Sequence, residues 1–177
     1  ETSKGYRTDI FYNRAMDWIS ENKEDPFFCY IPTYNAHNPT IVPEEFIAPY
    51  KGKVDDKAAE YLGMISNLDW NLGRLVDHLD NLKLAEYTLV IYMNDNGGTF
   101  GVDTYNAGMR GCKGTIWRGG TRAFSFWRWP GQLEPSDENS LTGHSDVLPT
   151  LVELAGGKLS EAVVAQIEGI SLAERLR

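Results

Sequence analysis

Two short runs constrain this chain most, because both are apolar without alternation: Phe27-Phe28-Cys29-Tyr30-Ile31 and Thr88-Leu89-Val90-Ile91-Tyr92-Met93. A strand with one face in water alternates apolar and polar residues, whereas one buried on both faces is continuously apolar. Both runs therefore predict strands buried within a sheet. From Lys57 to Asp80, residues Ala58, Tyr61, Leu62, Ile65, Leu68, Leu72, Leu75, Val76 and Leu79 fall on one helical stripe. A looser pattern predicts a helix from Asp9 to Glu21, with Thr8 as its N-cap and Asp25-Pro26 beyond its end. The four prolines between Pro32 and Lys53 predict an irregular surface segment. Ala123 to Trp127 reads as a third strand, and Ser145 caps a last helix through Ala155 that Gly156-Gly157 terminates. This order predicts an α/β protein with a mainly parallel sheet flanked by helices.

Composition narrows the function classes. At 177 residues, with 42% hydrophobic and 24% charged positions, the chain is neither disordered, collagen-like nor coiled-coil. Its formal net charge is −8 and no basic run exceeds two residues, which argues against a nucleic-acid partner. No apolar stretch approaches the roughly 18 residues of a membrane span. Cys29 reads as a small buried hydrophobe, and a disulfide with Cys112 stays open on sequence alone. The chain starts at Glu1 without a signal-peptide pattern, so either processing has removed its start or it is a piece of a longer protein.

In open α/β sheets, ligands bind beyond the carboxyl ends of strands. Two loops leave such ends here. Asp95 and Asn96 follow the second strand and offer a carboxylate and an amide oxygen, which suit a hard cation such as Ca²⁺ or Mg²⁺ rather than zinc. The same residues also read as a tight turn, since Asn-Gly is a favoured turn dipeptide. His37, in Asn35-Ala36-His37-Asn38-Pro39, can donate to an anion or exchange protons near neutral pH, or simply be solvated. Lys113, flanked by Gly111 and Gly114, can supply a point charge to a sulfate or phosphate, or again be solvated. His78 and His144 read as structural, and Trp117, Trp127 and Trp129 as core packing in preference to sugar stacking.

The order of these segments resembles the sulfatase family of the alkaline-phosphatase superfamily over almost the whole length. Pro26 through Ile31 leading to Asn35-Ala36-His37-Asn38-Pro39 is similar to the family's strand and substrate-binding histidine loop. Leu68-Asp69 and Leu72-Gly73-Arg74-Leu75 resemble the helix that follows, and Thr88 through Gly98 the strand ending in a metal-binding Asp-Asn pair. Arg110-Gly111-Cys112-Lys113-Gly114-Thr115, with Gly119-Gly120, resembles the sulfate-binding lysine loop. Trp129-Pro130-Gly131 and His144-Ser145-Asp146 through Gly156 complete the series. The resemblance implies an alkaline-phosphatase-like fold, with Asp95 and Asn96 as Ca²⁺ ligands and His37 and Lys113 as sulfate-gripping catalytic residues.

Departures matter as much. The family's nucleophile is a formylglycine made within Cys/Ser-x-Pro-x-Arg, but Cys29 is followed by Tyr-Ile-Pro and Cys112 by Lys-Gly-Thr. The paired aspartates and the Gly-Lys-x-His stretch of the family's N-terminal half are also missing. Arg118 stands where the family usually has glutamate. Residues 1–177 are thus expected to form a single partial catalytic domain whose nucleophile lies in a missing N-terminal half. The implied activity is sulfuric ester hydrolysis of sulfated carbohydrate or aryl sulfate esters, with the fragment inactive alone. The implied location is periplasmic or extracellular, or lysosomal. Alternatives are a phosphatase or phosphodiesterase of the same superfamily, or a non-catalytic binding domain. A cut sheet edge also predicts self-association of the fragment.

Overall fold

A computed structural model of the chain describes residues 4–176. They form two compact units: one holds the chain up to Thr88 together with Tyr92–Phe126, the other Leu89–Ile91 and the chain from Trp127 onward.

The first unit is built on two helices, α1 (Arg7–Glu21) and α3 (Asp56–Asn81), with the short α2 (Glu44–Ile47) packed against α3. Helix α3 starts where Asp55 accepts a hydrogen bond from the Ala58 amide at 3.0 Å, satisfying an otherwise orphaned donor. Its buried face is rotated from the predicted stripe. Ile65 is 41% exposed, while Met64, Asn67 and Asn71 are fully buried. The reason is a polar bond across the helix pair. Asn67 and Asn71 each donate through Nδ2 to Asp9 Oδ1 on α1, both at 2.8 Å. Arg74 extends the network by donating to Asn71 Oδ1 at 2.9 Å and to Asn13 Oδ1 at 2.6 Å. Asp9 lies in the first turn of α1, where the helix dipole favours an anion. Apolar packing by Tyr12, Met16 and Ile19 against Leu68, Leu75 and Leu79 surrounds this network. His78 meets Ser20 Oγ at 2.9 Å and the Met16 carbonyl at 3.0 Å, which ties the far ends of the helices together. Helix α1 begins one residue before the predicted cap: Thr8 lies inside it, buried, and Tyr6 takes the N-cap position without a side-chain capping bond.

The sheet is smaller than expected. Among the described residues there is one two-stranded sheet, β1 (Val90–Met93) paired with β2 (Ser125–Arg128), and no larger parallel sheet. The predicted strand at Phe27–Ile31 runs outside any helix or ladder. Burial on both faces is also corrected, since Phe28 and Tyr30 are 76% exposed. A strand needs a neighbour to satisfy its N–H and C=O groups, and no described strand pairs with this segment. The Pro-rich segment is irregular as far as Pro43 but not wholly superficial, because Thr40 and Val42 are buried.

In the second unit, α4 (Arg118–Thr121) having preceded it in the chain, a 3-10 turn at His144–Asp146 leads into α5 (Val147–Leu154). Asp146, not Ser145, occupies the N-cap position of α5, and its side chain reaches away from the helix: its Oδ2 accepts from the Gly143 amide at 2.8 Å and its Oδ1 from the Ile170 amide at 2.9 Å. Thr150 Oγ accepts from the Leu172 amide at 2.9 Å, so two buried side chains clamp the segment between α6 (Glu161–Val164) and α7 (Ala173–Leu176). Helix α5 ends as predicted. The Gly157 amide reaches the Val152 carbonyl at 2.8 Å and Gly156 reaches Glu153 at 2.9 Å, the paired bonds of a glycine-terminated helix.

Candidate functional site

The candidate residues sit on two loops of the first unit. The first loop carries His37. Its anchor is Asn35, which accepts from the Tyr6 hydroxyl at 2.9 Å and donates to the Met64 carbonyl of α3 at 3.3 Å. The peptide bonds Asn35–Ala36 and Asn38–Pro39 are both cis. His37 itself is exposed. Its Nδ1 lies 3.0 Å from the Asn38 carbonyl and, since a carbonyl only accepts, must carry the proton. That leaves Nε2 to face a ligand. Tyr34 packs edge-on to the imidazole at 5.6 Å, and the Arg7 guanidinium lies 4.8 Å over the Tyr34 ring.

The second loop runs from the end of β1 to the start of β2 and carries Asp95, Asn96 and Lys113. It is held by main chain. The Gly97 amide donates to the Gly120 carbonyl at 3.0 Å, the Lys113 amide to Gly98 at 2.9 Å, and the Gly119 amide to Arg110 at 2.8 Å. Glycine is demanded by proximity. A Cβ on Gly97 would stand 1.8 Å from the Gly119 carbonyl oxygen, and one on Gly119 would stand 2.1 Å from that of Gly111. Thr115 folds the tip by donating to the Cys112 carbonyl at 2.7 Å, and Asn106 donates to the Gly111 carbonyl at 2.8 Å. At the strand end, Asn94 Oδ1 accepts from the Phe124 amide at 2.7 Å, so the turn at Asp95–Asn96 is fixed to the residue preceding β2.

These bonds bring the Asp95–Asn96 turn and the Lys113 loop together. His37 stays on its own loop, and its direct partners Asn38 and Tyr34 belong to that loop too. Both loops share α3 as their support, the first through Met64 and the second through Tyr61, whose ring meets Phe100 at 6.0 Å. Asp95 and Lys113 are exposed and Asn96 is half-buried, so their polar ends are open to a ligand.

The donor types at Asp95 and Asn96 fit a hard cation, but two oxygens are too few for the six to eight that Ca²⁺ takes. No group of three or more His, Cys, Asp or Glu side chains is placed to hold a metal among the described residues. Asp95 and Asn96 therefore fit as part of a ligand set. Cys29 and Cys112 are not joined in a disulfide, and burial pushes the Cys29 thiol up. Trp117 is not core packing. It is 44% exposed, and Trp127 and Trp129 are half-buried.

Sequence reasoning missed Asn35, Asp9, Asn67 and Asn71. For Asn35 the signal was its place two residues before His37. The others form a contact between distant segments that no local pattern reveals.

Residues 1–157 match the family model described as Sulfatase. The chain belongs to the sulfatase family. A sulfatase of Formosa agariphila is 32% identical over 193 residues, spanning 100% of this chain and 35% of that protein. The human arylsulfatase H is 32% identical over 162 residues, 86% of this chain and 28% of that one. A solved structure, Ps i-CgsB in complex with k-i-k-neocarrahexaose, superposes with a TM-score of 0.89 at 26% identity, covering 98% of this chain and 39% of its own. This sulfatase chain thus spans about a third of the length of the curated relatives it matches. Its described residues hold no helix long and apolar enough to cross a membrane.

Proposed function

We propose that the full-length protein is a sulfuric ester hydrolase acting on sulfated carbohydrate or aryl sulfate esters, and that this chain supplies part of its sulfate cradle. The observation that carries the reading is the pair of backbone hydrogen bonds, Gly97 to Gly120 and Lys113 to Gly98, that fasten the Asp95–Asn96 turn to the Lys113 loop. A carboxylate and an ammonium donor on one rigid frame suit an anion bound beside a cation. Lys113 places a compact positive charge against the sulfate oxygens. His37, with its proton fixed on Nδ1, presents Nε2, which donates to an oxyanion when protonated and accepts a proton when neutral. Asp95 and Asn96 would hold Ca²⁺, or Mg²⁺, together with ligands from outside this chain, and that ion would offset charge on the ester oxygens. Asn96 in place of a second carboxylate keeps the site less negative toward an anionic ester. The nucleophile, a formylglycine by family resemblance, belongs to the rest of the protein, which works in the periplasm, outside the cell or in a lysosome.

In the full-length protein, Lys113→Ala is expected to lower kcat/KM on an aryl sulfate by about a hundredfold or more, the scale of losing one preorganised charge-stabilising donor. Matched sulfate and phosphate esters supply the counter-test, and a preference for phosphate rejects the sulfatase reading. The purified 177-residue chain is expected to turn over no aryl sulfate, and any measurable turnover by it sinks that part of the proposal.

A further inference from the structure

The loop around Lys113 has a charge pattern unlike the rest of the chain. Although the protein carries a formal net charge of −8, the stretch from Thr104 to Leu133 contains no Asp or Glu and five cations, Arg110, Lys113, Arg118, Arg122 and Arg128. Among these cations Arg110 is held in a defined pose. Its guanidinium carbon lies 3.7 Å from the centroid of the Trp117 ring, and both side chains are exposed.

The loop is shaped to make that stack. Gly111 has φ +81°, and a Cβ there would stand 2.8 Å from Trp117 Cβ and 3.1 Å from its Cδ1. Glycine at this position thus lets the indole lie over the turn. The Gly119 amide bonds the Arg110 carbonyl at 2.8 Å and closes the loop at its base, with Lys113 between the two ends. Stacking covers one face of a guanidinium but leaves its in-plane N–H donors directed outward, the geometry that grips a carboxylate or sulfate through two parallel bonds. Pinning the side chain before the ligand arrives also removes much of the rotamer entropy that an exposed arginine otherwise loses on binding.

We propose that Arg110, held over the Trp117 ring, binds a second anionic group of the substrate, so that the preferred ester is one member of a polyanionic glycan. The inference rests on the reading in which Lys113 grips the sulfate to be cleaved, and it adds a neighbouring subsite for another sulfate or a uronate carboxylate. Arg110 is a specificity-determining residue in this scheme and takes no part in the bond cleavage.

The test uses the full-length protein and two matched substrate pairs. One pair is neocarrabiose monosulfate and disulfate; the other is N-acetylgalactosamine 6-sulfate and the uronate-containing chondroitin disaccharide 6-sulfate. In at least one pair, kcat/KM is expected to favour the member with the extra anion by roughly tenfold, the scale of one added charge-assisted hydrogen bond. The pair that responds identifies whether sulfate or carboxylate fills the subsite. R110A is expected to abolish that preference, mainly through KM, while leaving the single-anion member within about twofold. R110K retains the charge without the planar fork and is expected to fall between. Wild-type turnover without preference in either pair, or an equal slowing of both members by R110A, overturns the inference and leaves the sulfatase reading intact. Absence of turnover on all four esters by a preparation that still cleaves an aryl sulfate overturns the inference alone, and absence of turnover on the aryl sulfate as well rejects the sulfatase reading with it.

Discussion

The His37 loop and the Lys113 loop rest on the same helix but are held by opposite means. Asn35 hangs the first from side-chain and carbonyl groups of Tyr6 and α3, through bonds of 2.9 and 3.3 Å. The second is closed by backbone meeting backbone at Gly97, Gly111, Gly119 and Gly120. A side-chain anchor can be shortened and leave the surrounding chain in place. Backbone contact at van der Waals limit leaves no room for one added carbon. The two loops should therefore differ sharply in what they tolerate, and that difference is measurable.

The largest effect is expected at Gly97. Its Cβ would have to share space with the Gly119 carbonyl oxygen, 1.8 Å away, and neither main-chain segment can yield without breaking the Gly97–Gly120 bond. Gly97→Ala should cost about 3 kcal/mol in denaturant unfolding, at the upper end of overpacking penalties. Gly73→Ala is the matched control. Gly73 lies inside α3 with nothing within 4 Å of its added carbon, so the same substitution should stabilise by about 0.5–1 kcal/mol. A Gly97 variant as stable as wild type would break the contrast, because the loop would then be soft.

A smaller loss is expected on the other side. Asn35→Ala removes the acceptor for Tyr6 and the donor to Met64, both at partly buried positions. The cost should be about 1–2 kcal/mol, the range for hydrogen bonds lost where water only partly replaces them. Protection of residues 36–40 from proteolysis should fall while that of residues 111–120 is unchanged. Equal loosening of both loops would mean that α3 transmits the damage.

Helix α3 was legible because apolar residues repeat at helical spacing from Lys57 to Asp80, nearly all of the 26 residues the helix occupies. Its orientation was not, because a pattern that scores apolar residues places Asn67 and Asn71 outside. They are fully buried because Asp9, far away in sequence, meets both amides. The run Phe27–Ile31 read as a buried strand and forms none, because a ladder depends on a second segment, and periodicity says nothing about which segment supplies it. His37, Asp95, Asn96 and Lys113 stood out by type and by their place after apolar runs. What could not be read was the frame between them, since the approach of Gly97 to Gly119 joins positions separated by the whole loop. Trp117 misled for a related reason: aromatic type suggests a core, and only its arginine partner accounts for its exposure.

The smallest effect at neutral pH, and the sharpest separation of the two loops, lies in alkali. Burial raises the Tyr6 hydroxyl above its ordinary value, and burial followed by the nearby Tyr92 pushes Tyr12 of α1 up to about 12. A folded-state pKa above the unfolded 10.0 means that the unfolded chain releases its proton first. The contribution is therefore fully present below pH 10 and is lost as pH rises toward about 12. Once Tyr6, whose pKa burial also raises, gives up its proton it ceases to be a donor to Asn35, so the His37 loop loses its anchor. The Lys113 loop is held by main-chain amides and Thr115, which have no proton to lose in this range. Proton NMR across this range should show the His37 ring C–H signals shifting ahead of the Thr115 methyl, with Tyr12→Phe flattening the accompanying loss of thermal stability. Simultaneous shifts of both signals would show that the two loops are released together and that their modes of attachment make no difference.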